Sequence, residues 1–205
     1  MDTKATVYVV DDDPGVRKAL GLFCVSKGFC CEAYPSAYHF LSEYNLSRPC
    51  CLLLDIRMPE MDGLDLQKKL VEKQIFIPII ILSGHANVPI AVEAMKLGAV
   101  DVIEKPFRNP VLLETINRAL GKDAQIRQER EALARARDYY SKLSERERQV
   151  IQGIYKGLPN KAIAGELGLS HKTVEYHRKK VMDKMQANSL AELIQKMGPI
   201  FHSTS

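Results

Sequence analysis

Three aspartates, Asp11, Asp12 and Asp13, follow directly on the apolar run TVYVV at residues 6–10. A fourth carboxylate, Asp55, closes the run CCLLL at 50–54. Ser83 closes IPIIIL at 77–82, and Lys105 follows AVDVI at 99–103. Carboxylates this close repel, and solvent, a cation or a basic side chain must offset the repulsion. Two or more carboxylates with neighbouring carbonyls form the oxygen-rich site that suits Mg²⁺. An aspartate on its own strand can attack phosphorus and form an aspartyl-phosphate. The transferred group then needs positive charge around its oxygens, which Mg²⁺ and Lys105 supply, and Ser83 can donate a hydrogen bond to it. Each of these residues alone is an ordinary turn or cap residue. It is the set, in strand order, that points to chemistry.

The elements that position them alternate in type. TVYVV, CCEAY (30–34), CCLLL, IPIIIL and AVDVI read as five strands. PGVRKALGLFCVSKG, SAYHFLSEYN, GLDLQKKLVEK, VPIAVEAMKLG and NPVLLETINRAL carry apolar residues at helical spacing. Gly28 is a plausible stop for the first helix, and Ser36 is a possible cap for the second. Near-continuous apolar strands fit a parallel sheet covered on both faces. The expected fold over residues 1–121 is a doubly wound (βα)₅ α/β domain. Ligands of such sheets sit beyond the carboxyl ends of the strands, at the topological switch point, where Asp11, Asp12, Asp55, Ser83 and Lys105 would converge.

Composition narrows the class. Hydrophobic residues make up 46% of 205, enough for a globular core. No apolar run approaches the roughly 18–20 residues that span a bilayer, and the opening MDTKATVYVV lacks the pattern of a signal peptide. A soluble, cytoplasmic protein without a membrane partner is expected. The five cysteines, Cys24, Cys30, Cys31, Cys50 and Cys51, show neither C-x-x-C spacing nor a zinc pattern. Reduced, partly buried thiols are the expectation, with the adjacent pairs Cys30–Cys31 and Cys50–Cys51 leaving a redox role open. Net charge is +4 in total: −2 over 1–121, +1 over 122–140 and +5 over 141–205. An acidic front joined to a basic back suggests a polyanion partner for the back.

Residues 122–140 contain neither proline nor glycine and are rich in Ala, Arg, Gln and Glu, so they read as a helical linker continuing the fifth helix. From Ser141 the pattern is short helices at about 144–156, 160–167, 171–186 and 189–197, forming a small all-α domain over 141–205. Ser144 with Glu147 has the form of a capping box. The segment LPNKAIAGELGLSHKTVEYHRKKVMDKM (158–185) has helix-turn-helix grammar, with Ile163, Ala164 and Leu167 inward, Gly168 at the turn and Ser170 as a cap. Val174, Val181 and Met185 recur at core spacing on the second helix. Its opposite stripe carries Lys172, Glu175, Tyr176, Lys179 and Asp183, flanked by His171, Thr173, Arg178 and Lys180. A basic stripe on one helix is what a major-groove reader needs.

VVDDDPGVR, CCLLLDIRMPEMDGLDL, IIILSGHANVP and DVIEKPF resemble the receiver domain of bacterial two-component response regulators, over residues 5 to about 121. The resemblance implies a flavodoxin-like fold with Asp55 as phosphoacceptor. It implies Mg²⁺ bound directly by Asp12, Asp55 and the backbone carbonyl of Arg57, with Asp11 acting through water. Ser83 and Lys105 would contact the phosphoryl group, and the Lys105–Pro106 peptide would be cis. Asp13 is expected to face solvent or cap the next helix. His85, in GHAN, is expected to shape its loop rather than move a proton. The sequence departs from the family at Val102, where receivers usually carry a switching Tyr or Phe three residues before the lysine.

LSERERQVIQGIYKGLPNKAIAGELGLSHKTVEYHRKKVMDKM resembles the LuxR-type helix-turn-helix of FixJ and NarL response regulators, over about 143–200. It implies that Glu175, Tyr176 and Lys179 face base edges, while Lys161, Lys172, Thr173, His177 and Arg178 meet phosphates. Glu175 either accepts from a cytosine amine or only pairs with Lys172 or Lys179. SLAELIQKM would be a dimerisation element. The implied function is a transcription factor of the FixJ type. A sensor histidine kinase would phosphorylate Asp55, and the protein would then act as a homodimer on promoter DNA, with RNA polymerase as a further partner. Its only catalysis would be its own phosphorylation and dephosphorylation. Two rivals are a Mg²⁺-dependent phosphatase or phosphotransferase and a docking module that ignores phosphorylation. The first would favour a second acid two residues after the nucleophile, which LDIRMP lacks. The set Asp12, Asp55, Ser83 and Lys105 weighs against the second.

Overall fold

The computed structural model describes residues 4–84 and 88–202. It divides into two units, residues 1–126 and 127–205. In the first, five strands form one parallel sheet: β1 (Thr6–Val10), β2 (Cys30–Tyr34), β3 (Cys50–Asp55), β4 (Ile79–Ser83) and β5 (Asp101–Glu104). Their order is β2-β1-β3-β4-β5. The chain leaves β1 towards one edge and returns through β3 towards the other, so the switch point lies between β1 and β3. Register sets Val10 beside Leu54 and Asp55 beside Leu82, which brings the last residues of β1, β3 and β4 to one rim.

Helices α1 (Pro14–Ser26), α2 (Ala37–Glu43), α3 (Gly63–Glu72), α4 (Val88–Lys96) and α5 (Asn109–Ser141) alternate with the strands. Because the strands are apolar on both faces, the sheet has two cores. Tyr8, Val10, Leu52, Leu54 and Ile81 point to one, with Phe40 and Leu66. Val7, Val9, Leu53, Ile80 and Leu82 point to the other, with Leu20, Leu112 and Ile116. Val7, Val9, Val10 and Leu52–Leu54 are completely buried. At about 25 cal/mol per Å² of apolar surface, such side chains each contribute roughly 1.5–3 kcal/mol to folding.

Local signals explain most element ends. Asp13 accepts from the backbone N–H groups of Gly15 and Val16 and caps α1, the cap role anticipated for it. Gly28, at φ +85°, stops that helix. Two strands start later than the apolar runs suggest. β4 starts at Ile79, because Pro78 has no N–H to give and offers only its carbonyl, to Leu52 N at 2.9 Å. β5 starts at Asp101, because Gly98 at φ +91° and the Ala99 N–Ala94 O bond use the preceding residues to close α4.

Residues 122–140 are helical throughout, as part of α5. The second unit adds α6 (Glu145–Tyr155), α7 (Asn160–Leu167), α8 (His171–Lys184) and α9 (Leu190–His202). Val150, Ile151, Ile163, Val174, Val181, Met185, Leu193 and Met197 form its core. α9 runs five residues further than its apolar pattern suggests. Its tail is held by ring contacts, with Phe201 stacked on Tyr155 at 4.4 Å and edge-on to Tyr140 at 6.4 Å. No helix among the described residues is long and apolar enough to cross a membrane.

Candidate functional site

Asp11 and Asp55 are both buried at the rim of the sheet, with 2% and 7% of their surface exposed. Lys105 reaches in from the end of β5 and bridges them. Its Nζ donates to Asp11 Oδ2 at 2.7 Å and to Asp55 Oδ1 at 2.5 Å. Its backbone N–H donates to Ser83 O at 2.7 Å, which ties the lysine to the end of β4. The Lys105–Pro106 peptide is cis, as expected. Ser83 is buried beside them at the end of its strand. The structure therefore gathers Asp11, Asp55, Ser83 and Lys105, while Asp12 is exposed and makes no side-chain contact with them among the described residues. His85 lies outside the described residues.

Electrostatics follow from burial. Burial pushes the Asp55 carboxyl above its ordinary range, and the charge of Asp11 acts in the same direction. The hydrogen bond and charge of Lys105 and the Arg57 backbone N–H oppose the shift without cancelling it. Burial pulls Lys105 down, but the hydrogen bonds and charges of Asp11 and Asp55 outweigh it and hold the ammonium above its usual value.

Two further residues build the site and escape a reading by strand ends. Gly63 packs under Asp55: a Cβ there would lie 2.3 Å from the Asp55 carbonyl oxygen, while Gly63 N donates to Ile56 O at 2.9 Å. The glycine in PEMDG was the available signal, since close backbone approach requires that residue. Arg17 Nη1 donates to the carbonyls of Asp11 at 2.6 Å and Asp12 at 2.8 Å, pinning the acidic loop to α1. Its spacing from the aspartates carries no comparable signal.

The donor set suits a hard divalent cation. Two buried carboxylates, Asp11 and Asp55, share one ammonium, and Asp12, next in the chain, is exposed to solvent. Among the described residues no three His, Cys, Asp or Glu side chains form a cage by themselves.

Val102 is half-buried on β5. With Ala91, Val92, Met95, Lys96 and Asp101 it lines a cavity of about 580 Å³. Asp101 beside it is paired with Arg118.

In the second unit α7 and α8 form the helix-turn-helix. Gly168 at φ +64° makes the turn, Leu169 N donates to Ala164 O at 2.9 Å, and Ser170 caps α8 by accepting from Thr173 N at 3.1 Å. Lys161, Lys172, Glu175, Tyr176 and Lys179 are exposed. Thr173, His177 and Arg178 are half-buried. Thr173 Oγ1 is engaged by Ser170 Oγ at 2.7 Å, and His177 Nδ1 is buried without a hydrogen-bond partner. Glu175 pairs with neither lysine considered for it. His171 Nδ1 is its neighbour, at 3.5 Å. The buried Glu147 completes the capping box and accepts from Lys184 Nζ at 2.7 Å, locking α6 to α8.

Such a sheet, with its bridged strand-end acids, and a helix-turn-helix on the same chain together define a signal receiver joined to a DNA-binding module. Residues 7–117 match the response regulator receiver domain, and residues 141–197 match the luxR family of bacterial regulatory proteins. The transcriptional regulatory protein FixJ of Rhizobium meliloti is 44% identical over 197 residues, covering 94% of this chain and 95% of that protein. The response regulator protein TodT of Pseudomonas putida is 42% identical over 194 residues, covering 95% of this chain and 86% of that protein. Among solved structures, the response regulator StyR superposes with a TM-score of 0.82 at 41% identity, covering 95% of this chain and 98% of that one. Full-length FixJ from B. japonicum gives 0.59 at 40%, covering 98% of each. The chain belongs to the FixJ-like response regulators: it is a transcription regulator with a receiver and a LuxR-type DNA-binding domain, and phosphorylation-dependent signalling is the family's general mechanism.

Proposed function

We propose that Asp55 is the phosphoacceptor and that its phosphorylation by a sensor histidine kinase turns this cytoplasmic protein into a homodimer with raised affinity for promoter DNA. The observation that carries this reading is the bridge from Lys105 to Asp11 and Asp55. It is a nucleophile and a cation already in contact at the switch point.

An Asp55 oxygen attacks the phosphorus of a phosphohistidine. The P–O bond forms as the P–N bond breaks, and the imidazole keeps the electron pair. Lys105 then turns from the carboxylate to the new phosphoryl oxygens, and Ser83 donates to the same group. Asp12, Asp55 and the Arg57 carbonyl would hold Mg²⁺, with Asp11 acting through water. When bound, the cation supplies positive charge to the phosphoryl oxygens. Attack of water on phosphorus returns Asp55 to a carboxylate, so the chain's own catalysis begins and ends at this residue. On DNA, Glu175, Tyr176 and Lys179 face base edges. Lys161, Lys172 and Arg178 meet phosphates, and Thr173 and His177 do so from half-buried positions. The bound dimer presents itself to RNA polymerase. The test is phosphate transfer from a small-molecule phosphodonor, which should load wild type at Asp55 and leave Asp55→Asn unlabelled. Labelling of the variant at the same rate contradicts the assignment.

A further inference from the structure

Glu175 is an acid in the half of α8 that a DNA reader turns to the bases. The helix carries Lys172, Arg178, Lys179, Lys180 and Lys184 against two carboxylates, Glu175 and Asp183. Asp183 stands in the last turn. Glu175 is the fifth of 14 residues, and the N-terminal part of a recognition helix is what meets base edges. Lys172, Tyr176 and Lys179, its neighbours at helical spacing and in sequence, are exposed with it.

A carboxylate at this place needs a physical reason. Duplex DNA is a polyanion. An acid on the face that approaches it lowers affinity for every sequence unless a base compensates the charge. The lysines do not neutralise it, because neither Lys172 nor Lys179 pairs with Glu175 among the described residues. Its neighbour is His171 Nδ1 at 3.5 Å, and the two side chains are 58% and 55% exposed. His171 opens the helix, so the contact leans the carboxylate towards the end of α8 that enters a groove.

Base chemistry selects the partner. In the major groove guanine offers the acceptors O6 and N7, and thymine offers the O4 acceptor and a methyl group. Adenine sets its N6 amine beside the N7 acceptor. Cytosine offers its N4 amine alone. A carboxylate therefore accepts from cytosine and is penalised at the other three.

We infer that Glu175 is a specificity residue that selects cytosine at one position of each half-site, largely by rejecting the other bases. The inference rests on the reading of α8 as the base-facing helix. The acid weakens binding to DNA at large and recovers the loss only where a cytosine amine meets it, so the site is set by exclusion as well as by attraction.

Full-length protein, with Mg²⁺ and a small-molecule phosphodonor, is used to select duplexes from a randomised library. The bound fractions are sequenced for wild type, Glu175→Gln and Glu175→Ala. Glu175 is exposed, so both substitutions leave the core of the unit intact. Wild type should select a site with one C·G pair per half-site favoured about tenfold or more over the other three pairs. Glutamine offers a donor and an acceptor to adenine N7 and N6, so Glu175→Gln should turn that pair to A·T. Glu175→Ala should flatten the preference, and both variants should leave the other positions unchanged. If both variants select the wild-type site unaltered, the inference falls while α8 remains the DNA-binding helix. If the position that responds holds an A·T pair in wild type, the choice of cytosine is overturned. If wild type enriches no sequence, the reading of α8 falls and the inference falls with it.

Discussion

Lys105 Nζ lies 2.5 Å from Asp55 Oδ1, and the same ammonium reaches Asp11 Oδ2 at 2.7 Å. One cation thus holds two buried carboxylates apart from each other's charge. Lys105→Met leaves both without it. Breaking a buried pair from one side costs about 3–5 kcal/mol, so a loss of roughly 3 kcal/mol is expected for the receiver in chelator-treated buffer. Denaturant unfolding measures it, and added Mg²⁺ should restore part of the loss.

Asp55 has the opposite sign. Its native pKa is raised, chiefly by burial. The folded state therefore binds this proton more tightly than the unfolded chain. Stability from this group is greatest at acid pH and falls as pH rises from the ordinary carboxylate value through the raised native one. Above the raised native value the cost is fully present. Asp55→Asn should raise the Tm in the absence of metal, and thermal scans from pH 4 to 8 should show the gap widening upward.

Gly63 admits no side chain, because a Cβ would meet the Asp55 carbonyl at 2.3 Å. Gly63→Ala must displace the backbone that carries the phosphoacceptor. Overpacking of this kind costs about 1–3 kcal/mol. Phosphate uptake should slow more than stability alone explains, which kinetics on the folded fraction would detect.

Glu147 works as a pH-sensitive lock between α6 and α8. Burial raises its pKa, but Lys184 and the backbone and hydroxyl of Ser144 outweigh that and bring it below the ordinary value. Its contribution is present above the unfolded carboxylate value and lost as pH falls through the depressed native one. Glu147→Gln should cost the second unit about 1–2 kcal/mol at pH 7. The difference from wild type should vanish in acid, as followed by far-UV dichroism.

On α8, Lys179 is exposed beside Tyr176, whose ring carries Lys180 Nζ 5.8 Å above its centre. Lys179→Ala should weaken DNA binding and, if the contact reaches phosphate instead of a base, lower the salt slope by about one. Titrations at several salt concentrations separate the two.

The strand-end acids and the lysine were legible because buried parallel strands read as apolar runs, and the residues just past each run must sit at the rim. The caps at Ser144 and Ser170 and the turn at Gly168 were legible for the same local reason. The starts of β4 and β5 were not, since a proline and a helix-closing glycine override apolar runs that look continuous. Nor was Arg17, whose partners are backbone carbonyls and leave no mark on residue types. The pairing of Glu175 with His171 was one of several helical neighbours at permitted spacing, and sequence had no means to choose.

Asp55 as the switch is tested most directly by sedimentation and DNA-binding titration of wild type and Asp55→Asn, each with Mg²⁺ and a small-molecule phosphodonor. Wild type alone should dimerise and bind DNA more tightly. Equal behaviour of the two proteins would contradict the assignment of that role to Asp55.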